Sequence, residues 1–519
     1  IDNTTYVLTG DGCMMEGISS EASSFAGHLQ LDNLVVIYDS NDICLDGPTS
    51  ECFTEDTQKR YESYGWHVQT IDGHSFEEIE NAINQTKKET TKPSLIIAKT
   101  TIGYGSPSYA GTSEVHGKAM GTEEVIKTKE SLGIPTDKDF YIPEEVTSYF
   151  KNLVTEQQAN ENAWESTFSE WESNNPTLAN LWETFTKKGL PNNFDQLLKQ
   201  TETKPNCATR ASSQAILQTL EEAVPYLIGG SADLSCSDST MMKKGGIIQH
   251  QQYNAKNIKY GVREFAMGAI ASGLSLQGMI TPYCGTFFTF SDYMKNAIRL
   301  AAIMNLNVIY QFTHDSIFLG EDGPTHQPVE HLAALRAMPN LTVIRPADST
   351  EVKAAWQVAL TTNGPVALIL TRQGVPDLES SNYEQTKKGA YIIKKESKEE
   401  IDYQLVATGS EVSLALEVAT ALEKDNHSVR VISMPSWELF EVQSKDYQNE
   451  VFDKNAKTNC AIEAQSQLGW HKYIGKDGIT ITVDTFGKSA PASHLLKDYG
   501  FTVPQIVESL LKVKETTKI

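Results

Sequence analysis

Gly10-Asp11-Gly12 closes an apolar, strand-like run and stands just before a helix-period stretch that begins near Glu16. At the carboxyl end of a parallel strand, loops converge and helix N-termini point positive dipole ends outward, so ligands collect there. The next apolar run ends in Tyr38-Asp39-Ser40-Asn41, which brings Asp11 and Asn41 to the same edge of one βαβ unit. A carboxylate, an amide oxygen and a backbone carbonyl make a set of hard donors suited to Mg2+ or Ca2+. Such an ion can hold a diphosphate against the glycine turn. Taken alone, Gly-Asp-Gly reads more readily as a tight turn beside a polar strand end.

The elements that must position these residues are legible as an alternation. Tyr6–Thr9, Leu34–Tyr38 and Ser94–Lys99 are short, continuous apolar runs of the kind buried on both faces of a parallel sheet. Between them, Ile18, Ala22, Phe25, Ala26 and Leu29 make one helical face, and Phe76, Ile79, Ala82 and Ile83 another. A polar stretch over 151–204, broken at Asn174-Asn175-Pro176 and Pro191-Asn192-Asn193, reads as helices and linker. A second α/β unit starts near Cys207, with strands at Tyr226–Gly229, Val308–Phe312, Leu341–Arg345 and Val366–Thr371. A third starts near Gly389, with strands at Gln404–Ala407, Val429–Ser433, Cys460–Glu463 and Ile479–Val483. The expectation is three α/β domains, in line with a length of 519 residues at roughly 150 per domain.

Composition removes whole classes. With 39% hydrophobic and 21% charged residues, the chain is neither disordered nor fibrous, and no apolar run approaches the ~20 residues that span a bilayer. A net charge of −23, with no basic run interleaved with aromatics, argues against nucleic acid. Any phosphate must then be met by a few placed Arg, His or metal groups. The seven cysteines are scattered, without a C-x-x-C pair, and are expected to be reduced thiols, most of them packing residues.

The Gly-Asp-Gly turn followed by Asn41 resembles the thiamine-diphosphate fingerprint, and the likeness continues along the chain. Thr209-Arg210, Gly229-Gly-Ser-Ala-Asp-Leu234, Tyr260-Gly-Val-Arg-Glu264, Thr313-His-Asp-Ser316, Gly320-Glu-Asp-Gly-Pro-Thr-His-Gln-Pro328, Thr371-Arg-Gln373 and Ala407-Thr-Gly-Ser-Glu-Val412 resemble transketolases, in the family's order. The resemblance implies two thiamine-diphosphate-binding-fold domains followed by a C-terminal α/β domain with a mostly parallel sheet. The expected bounds are 1–185 for the diphosphate and metal domain with its linker, 186–385 for the pyrimidine domain and 386–519 for the last. It also implies thiamine diphosphate with Mg2+ or another divalent cation, and a cytoplasmic homodimer with sites between subunits. The activity implied is ketol transfer between sugar phosphates in the pentose phosphate pathway.

Residue by residue, the resemblance makes Asp11, Asn41 and the carbonyl of Ile43 metal ligands, with Gly12 and Asn41 on the diphosphate. Glu264 falls where the family keeps the glutamate that protonates the aminopyrimidine ring. A carboxylate suits that task because burial raises its pKa toward neutrality, and small apolar residues (Ala266, Met267, Ala269, Ile270) follow it. Phe287, Phe290 and Tyr293 lie at helical spacing, which by itself reads as core; by resemblance they and Asp233 belong to the cofactor site, with Phe290 stacking. Arg210, Ser237, His314 and Arg372 resemble the phosphate end of a sugar-phosphate channel, guanidinium forks matching phosphate oxygens. Asp322 resembles the residue that reads a donor hydroxyl. His326 and His116, the latter in the loop 103–117, resemble histidines near the reactive centre. Glu16 and Glu21 resemble glutamates that link paired sites across a dimer.

Two positions depart from the family: Phe318 stands where Gly is common, and Ser113 where His is common. Phe318 is expected to add bulk near His314 and narrow the channel. The chain also begins at Ile1, directly before a strand-like run and without an initiator Met, so the start of the cofactor domain, with further substrate histidines, is expected to be absent. On that reading the 519 residues alone are inactive. Alternatives kept open are a dihydroxyacetone-synthase-like transferase and a split or non-catalytic subunit; deoxyxylulose-phosphate synthase is disfavoured because Gly320–Pro328 and Thr313–Ser316 resemble transketolases.

Overall fold

The computed structural model describes residues 3–516, with side chains as far as residue 512. Ile1, on which the reading of the chain's start turns, lies outside the described residues. The chain divides into two compact units, Ile1–Trp182 with Gln249–Gln251, and Glu183–Ile248 with Gln252–Ile519.

In the first unit the strands are β1 (Thr5–Gly10), β2 (Leu34–Ser40), β3 (Ile43–Cys44), β4 (Gly47–Pro48), β5 (His67–Asp72) and β6 (Ser94–Lys99). Four of them form a parallel sheet in the order β1-β2-β6-β5, and β3 and β4 form a small antiparallel hairpin. Central β6 is buried over Ser94–Ala98, as a continuous apolar run in a parallel sheet should be. Among the described residues β1 pairs with β2, and its Tyr6, Val7 and Leu8 are exposed, Leu8 by 80%. Strand β5 escaped the sequence reading because its six residues mix polar and apolar side chains.

Helix Gly17–Leu29 buries Phe25, Ala26 and Leu29, as its spacing requires. Helix Phe76–Thr86 buries Ala82, but Phe76 is 90% exposed, a correction to the expected face. Phe76 is the first helical residue, one turn ahead of the positions that turn inward. Helices Glu144–Asn174 and Pro176–Lys187 meet at the expected Asn-Asn-Pro break, and no residue of the former is buried.

The second unit holds two sheets. The first consists of β7 (Leu227–Ser231), β8 (Asn257–Lys259), β9 (Thr281–Phe287), β10 (Ile309–Thr313), β11 (Thr342–Ile344) and β12 (Val366–Leu370), ordered β11-β12-β10-β9-β7-β8 and parallel throughout. Strand β9 was hidden in the sequence by Pro282 and Gly285, which argue against a strand. Gly285 is there for space: a Cβ would come 2.4 Å from Thr240 Cγ2. Gly229 and Gly230 are also packing residues, since added Cβ atoms would meet the Tyr283 and Ile258 carbonyl oxygens at 2.0 and 1.7 Å.

The last sheet runs β13 (Tyr391–Lys394), β14 (Tyr403–Ala407), β15 (Val429–Ser433), β16 (Thr458–Ile462) and β17 (Ile479–Ile481), ordered β13-β15-β14-β16-β17. Only β13 is antiparallel to its neighbour. Its core takes in residues of the preceding segment: Ile317, Phe318 and Val329 pack with Val412, Leu422 and Phe501. That corrects the expectation for Phe318. Its ring is 6% exposed and meets Phe501 edge-on at 5.4 Å, so its bulk fills a core and does not narrow a channel.

All seven cysteines are free. Only Cys284 and Cys460 are buried, whereas Cys13, Cys52 and Cys236 are exposed, against the expectation that most are packing residues. No helix among the described residues is long and apolar enough to cross a membrane.

Candidate active site

In the first unit, parallel pairing sets Gly10 beside Asp39, so the ends of β1 and β2 bring Asp11 and Asn41 together. Asp11 is 3% exposed and opens a short helix, Asp11–Met15. Its Oδ1 accepts from the Tyr38 hydroxyl at 2.6 Å and its Oδ2 from the Asn41 backbone N–H at 3.2 Å. Burial, reinforced by Asp11, pushes the Tyr38 phenol well up, which keeps it a donor. The Asn41 Oδ1 accepts from the Ile43 N–H at 3.1 Å, holding residues 41–43 in a turn with Asp42 at φ 62°.

These residues fit a divalent cation. A buried carboxylate without a counter-charge is costly, and no Lys or Arg among the described residues pairs with Asp11. Above the turn there is room, because a Cβ added at Gly10, Gly12 or Gly17 would meet nothing within 4 Å. Farther along this unit, His116 follows a 3-10 turn that contains Ser113 and is half-buried. Its Nδ1 is buried without a hydrogen-bond partner, an orphan of the kind that a ligand would satisfy. Glu16 is exposed before helix Gly17–Leu29, and Glu21 is half-buried within it.

In the second unit the carboxyl ends of β9, β10 and β12 are adjacent, with Thr313 opposite both Phe287 and Leu370. Phe287, His314 and Arg372 therefore leave the sheet side by side. Arg210 arrives from the start of helix Thr209–Ala223. Reciprocal bonds tie that start to the end of β12: the Thr209 N–H donates to Thr371 Oγ1 at 2.9 Å, and the Thr371 N–H to Thr209 Oγ1 at 2.7 Å. The repeated Thr-Arg dipeptide was a sequence signal for this pairing, but neither threonine stood out on its own.

His314 is 3% exposed and has a left-handed backbone, φ 61°. Its ring lies 3.6 Å from that of Phe287, centroid to centroid. Arg210 Nη1 reaches the Ser237 carbonyl at 2.6 Å and His314 Nε2 at 3.3 Å. A guanidinium can only donate, so His314 Nε2 is the acceptor and the ring proton sits on Nδ1, 2.9 Å from Thr313 Oγ1. Burial, with the Arg210 and Arg372 charges, pushes the imidazole down to about 3, so it is neutral at physiological pH. Burial and the Arg372 charge also lower Arg210. Among the described residues neither arginine is in an ion pair with a carboxylate, although the chain carries a net −23.

Phe287, Phe290 and Tyr293 do not share a helical face, contrary to their spacing. They lie at the end of β9, in a 3-10 turn and in helix Ser291–Ile303 respectively. Their rings still run in series, 5.9 Å and 6.1 Å apart, from buried Phe287 to exposed Tyr293. His326 meets Phe290 edge-on at 5.3 Å, and its Nδ1 lies 3.0 Å from Thr325 Oγ1. Glu264 is 8% exposed at the first position of helix Glu264–Leu276, with Ala266 and Met267 buried behind it and Ala269 and Ile270 half-buried. Of the other expected residues, Ser237, Asp233 and Asp322 are exposed, Asp233 with φ 65°, and Ser237 joins the ring-and-guanidinium cluster through its carbonyl.

A fold of this kind, with a hard-oxygen turn at one parallel-sheet edge and aromatic and guanidinium groups at another, defines a thiamine-diphosphate-dependent enzyme of the α/β class. Family models bear this out in chain order: the transketolase thiamine diphosphate binding domain matches residues 1–191, the transketolase pyrimidine binding domain 206–377, and the transketolase-like C-terminal domain 389–502. The chain is 47% identical over 513 residues to the transketolase of Bacillus subtilis, covering 98% of itself and 77% of that protein. Among solved structures, transketolase from Leishmania mexicana superposes with a TM-score of 0.95 at 39% identity, covering 99% of this chain and 76% of that one. A Pichia stipitis transketolase in complex with sedoheptulose-7-phosphate gives 0.95 at 39% identity, covering 100% and 77%. The chain belongs to the transketolase family, and its function is that of a thiamine-diphosphate-dependent transketolase.

Proposed function

We propose that this chain moves a two-carbon ketol unit from a ketose phosphate, xylulose 5-phosphate or sedoheptulose 7-phosphate, to an aldose phosphate, ribose 5-phosphate or glyceraldehyde 3-phosphate. It does so in the cytoplasm as a homodimer with active sites between subunits. The working domains are 1–185, 186–385 and 386–519. Asp11, Asn41 and the Ile43 carbonyl hold the divalent cation, Mg2+ or Ca2+, and Gly12 and Asn41 meet the diphosphate. Bound thiamine diphosphate supplies the electron sink for breaking and making the carbon–carbon bond. Phe287, Phe290 and Tyr293, with His116 and Asp233, enclose the pyrimidine end. Glu264 holds a proton at its ring nitrogen from a buried helix start. His326 and His116 donate hydrogen bonds to oxygens at the reacting carbon, and Asp322 orients a donor hydroxyl. Arg210, Ser237, His314 and Arg372 anchor the substrate phosphate, which places the reacting end.

One observation carries the substrate reading. Two guanidiniums without carboxylate partners converge on a neutral imidazole at the carboxyl edge of a parallel sheet, in an acidic protein. Their charge is left for an anion. Arg372→Ala is expected to raise KM for ribose 5-phosphate about ten- to a hundred-fold, since charge-assisted contacts are worth ~1.5–3 kcal/mol each. The KM for unphosphorylated glycolaldehyde should stay nearly constant. Equal losses for both acceptors in steady-state kinetics would assign Arg372 a structural role instead.

A further inference from the structure

Ala407-Thr-Gly-Ser-Glu-Val412, one of the motifs that carry the family resemblance, reaches no ligand assigned above. It lies at the carboxyl end of β14, and its side chains turn back toward the sheet that carries the phosphate residues. Arg345, just past β11, is fully buried and lies against this turn. Its Nη1 donates to the Thr408 carbonyl at 3.1 Å, to Thr408 Oγ1 at 2.9 Å and to Glu411 Oε2 at 2.5 Å. Gly409 lets the guanidinium lie flat on the backbone, for a Cβ there would stand 2.7 Å from Arg345 Cζ. From the other edge of the same guanidinium, Nε and Nη2 donate to Asp315 Oδ2 at 2.9 and 2.7 Å. Asp315 is also fully buried, and it is the residue after His314.

The other end of Asp315 is gripped from the last domain too. The Gln465 side-chain amide donates to the Asp315 carbonyl at 2.6 Å and to the Pro328 carbonyl at 3.1 Å. One amide thus bridges the loop of His314 and the loop that carries Asp322 and His326. A third tie closes the network: Glu463 accepts from Thr408 Oγ1 at 2.6 Å and from both Arg336 amino nitrogens at 2.9 Å.

We infer that Arg345, Glu411 and Gln465 are positioning residues, through which the C-terminal domain holds His314 in its left-handed backbone and its ring against Phe287. The physical need is specific. A non-glycine residue at positive φ relaxes unless its neighbours on the chain are held, and here both the side chain and the carbonyl of Asp315 are hydrogen-bonded by buried groups, Arg345 and Gln465. The inference rests on the reading of His314 as a phosphate ligand only for its functional consequence; the geometry it explains stands without it.

The test uses the full chain with 13C-labelled histidine. The His314 ring signal is assigned by His314→Asn, and in the parent it should carry the ring-current shift that close contact with Phe287 imposes. Gln465→Met keeps the volume and removes both amide donors. It should move the His314 signal toward that of a histidine away from any ring and weaken ribose 5-phosphate binding at least five-fold in calorimetry, while far-UV circular dichroism is unchanged. Glu411→Gln, which keeps the shape but loosens Arg345, should act in the same direction and serves alone if Gln465→Met does not fold. An unmoved His314 signal in whichever of the two variants folds overturns the proposal. If instead the signal moves as expected but His314→Asn binds ribose 5-phosphate as the parent does, the positioning stands and the phosphate-ligand reading of His314 is what fails.

Discussion

His314 concentrates more constraint than any other side chain of the candidate site. The left-handed backbone costs a non-glycine residue about 1–2 kcal/mol, its ring is buried against Phe287, and that burial, helped by two guanidinium charges, keeps it neutral. Because the folded value is about 3 and the ordinary one 6.5, the neutral ring's contribution to stability is whole above pH 6.5. It is lost as pH falls from there toward 3, where the unfolded chain takes up a proton that the folded chain refuses. His314→Asn, whose side chain tolerates left-handed backbone, should remove that dependence. Between pH 6.5 and 5 the parent is expected to lose about 1–2 kcal/mol more than the variant in urea unfolding. Parallel pH profiles would disprove the depressed value. At Glu264 the expectation separates binding from chemistry: Glu264→Gln should bind thiamine diphosphate within about ten-fold of the parent in calorimetry. Ketol transfer should nonetheless fall by orders of magnitude, because an amide holds a hydrogen bond but cannot exchange the proton. Unchanged turnover in a coupled assay would move the acid–base role elsewhere.

Elements matter to this site through their ends. Helix Thr209–Ala223 and β12 are far apart in sequence, yet the reciprocal Thr209–Thr371 bonds bring Arg210 and Arg372 to one imidazole. Thr209→Val preserves shape and strands the buried Thr371 N–H, so about 1–3 kcal/mol of stability should be lost in urea unfolding. Ribose 5-phosphate binding should weaken as well. A variant that loses stability but binds ribose 5-phosphate normally would show that the threonine pair supports the fold and not the site. Strand existence was largely legible, because parallel strands buried on both faces are continuous apolar runs; Val366–Leu370 is one such, read from the sequence as Val366–Thr371. Position in the sheet was not legible: β9 carries Pro282 and Gly285, which argue against a central strand, and yet lies inside. Strand order is set by crossovers and packing, neither of which leaves a mark within a strand of five or six residues.

Over the second unit as a whole, the two sheets share a core and a buried charge network. Arg336 and Arg345 meet Asp315, Glu411 and Glu463 with all five side chains nearly inaccessible. Burial alone would raise Glu463, but the Arg336 and Arg345 charges bring it below the ordinary carboxylate range. Breaking such a pair by removing one side costs ~3–5 kcal/mol, because a buried charge is left without its partner. A chain ending at residue 385 would lose Glu411 and Glu463 and expose Ile317, Phe318 and Val329. It is expected to be insoluble or to bind hydrophobic dye without a cooperative transition. A soluble truncation that unfolds cooperatively in calorimetry would show the first sheet to be independent of the second.

The sequence by itself determined the class of fold, the candidate site residues and their order along the chain. Each of these is carried by local signals: apolar runs, glycine turns at strand ends, and Asp, Glu, His and Arg inside short motifs. The tertiary structure alone decided what those residues face. It turned Phe318 from the expected channel wall into core, spread the Phe287, Phe290 and Tyr293 stripe over three elements, and revealed Tyr38 as the group behind Asp11. It also joined Asp315 to Gln465 across 150 residues. Contacts between distant segments depend on crossover geometry and on the room each backbone leaves its neighbour, and no short stretch of sequence encodes either one.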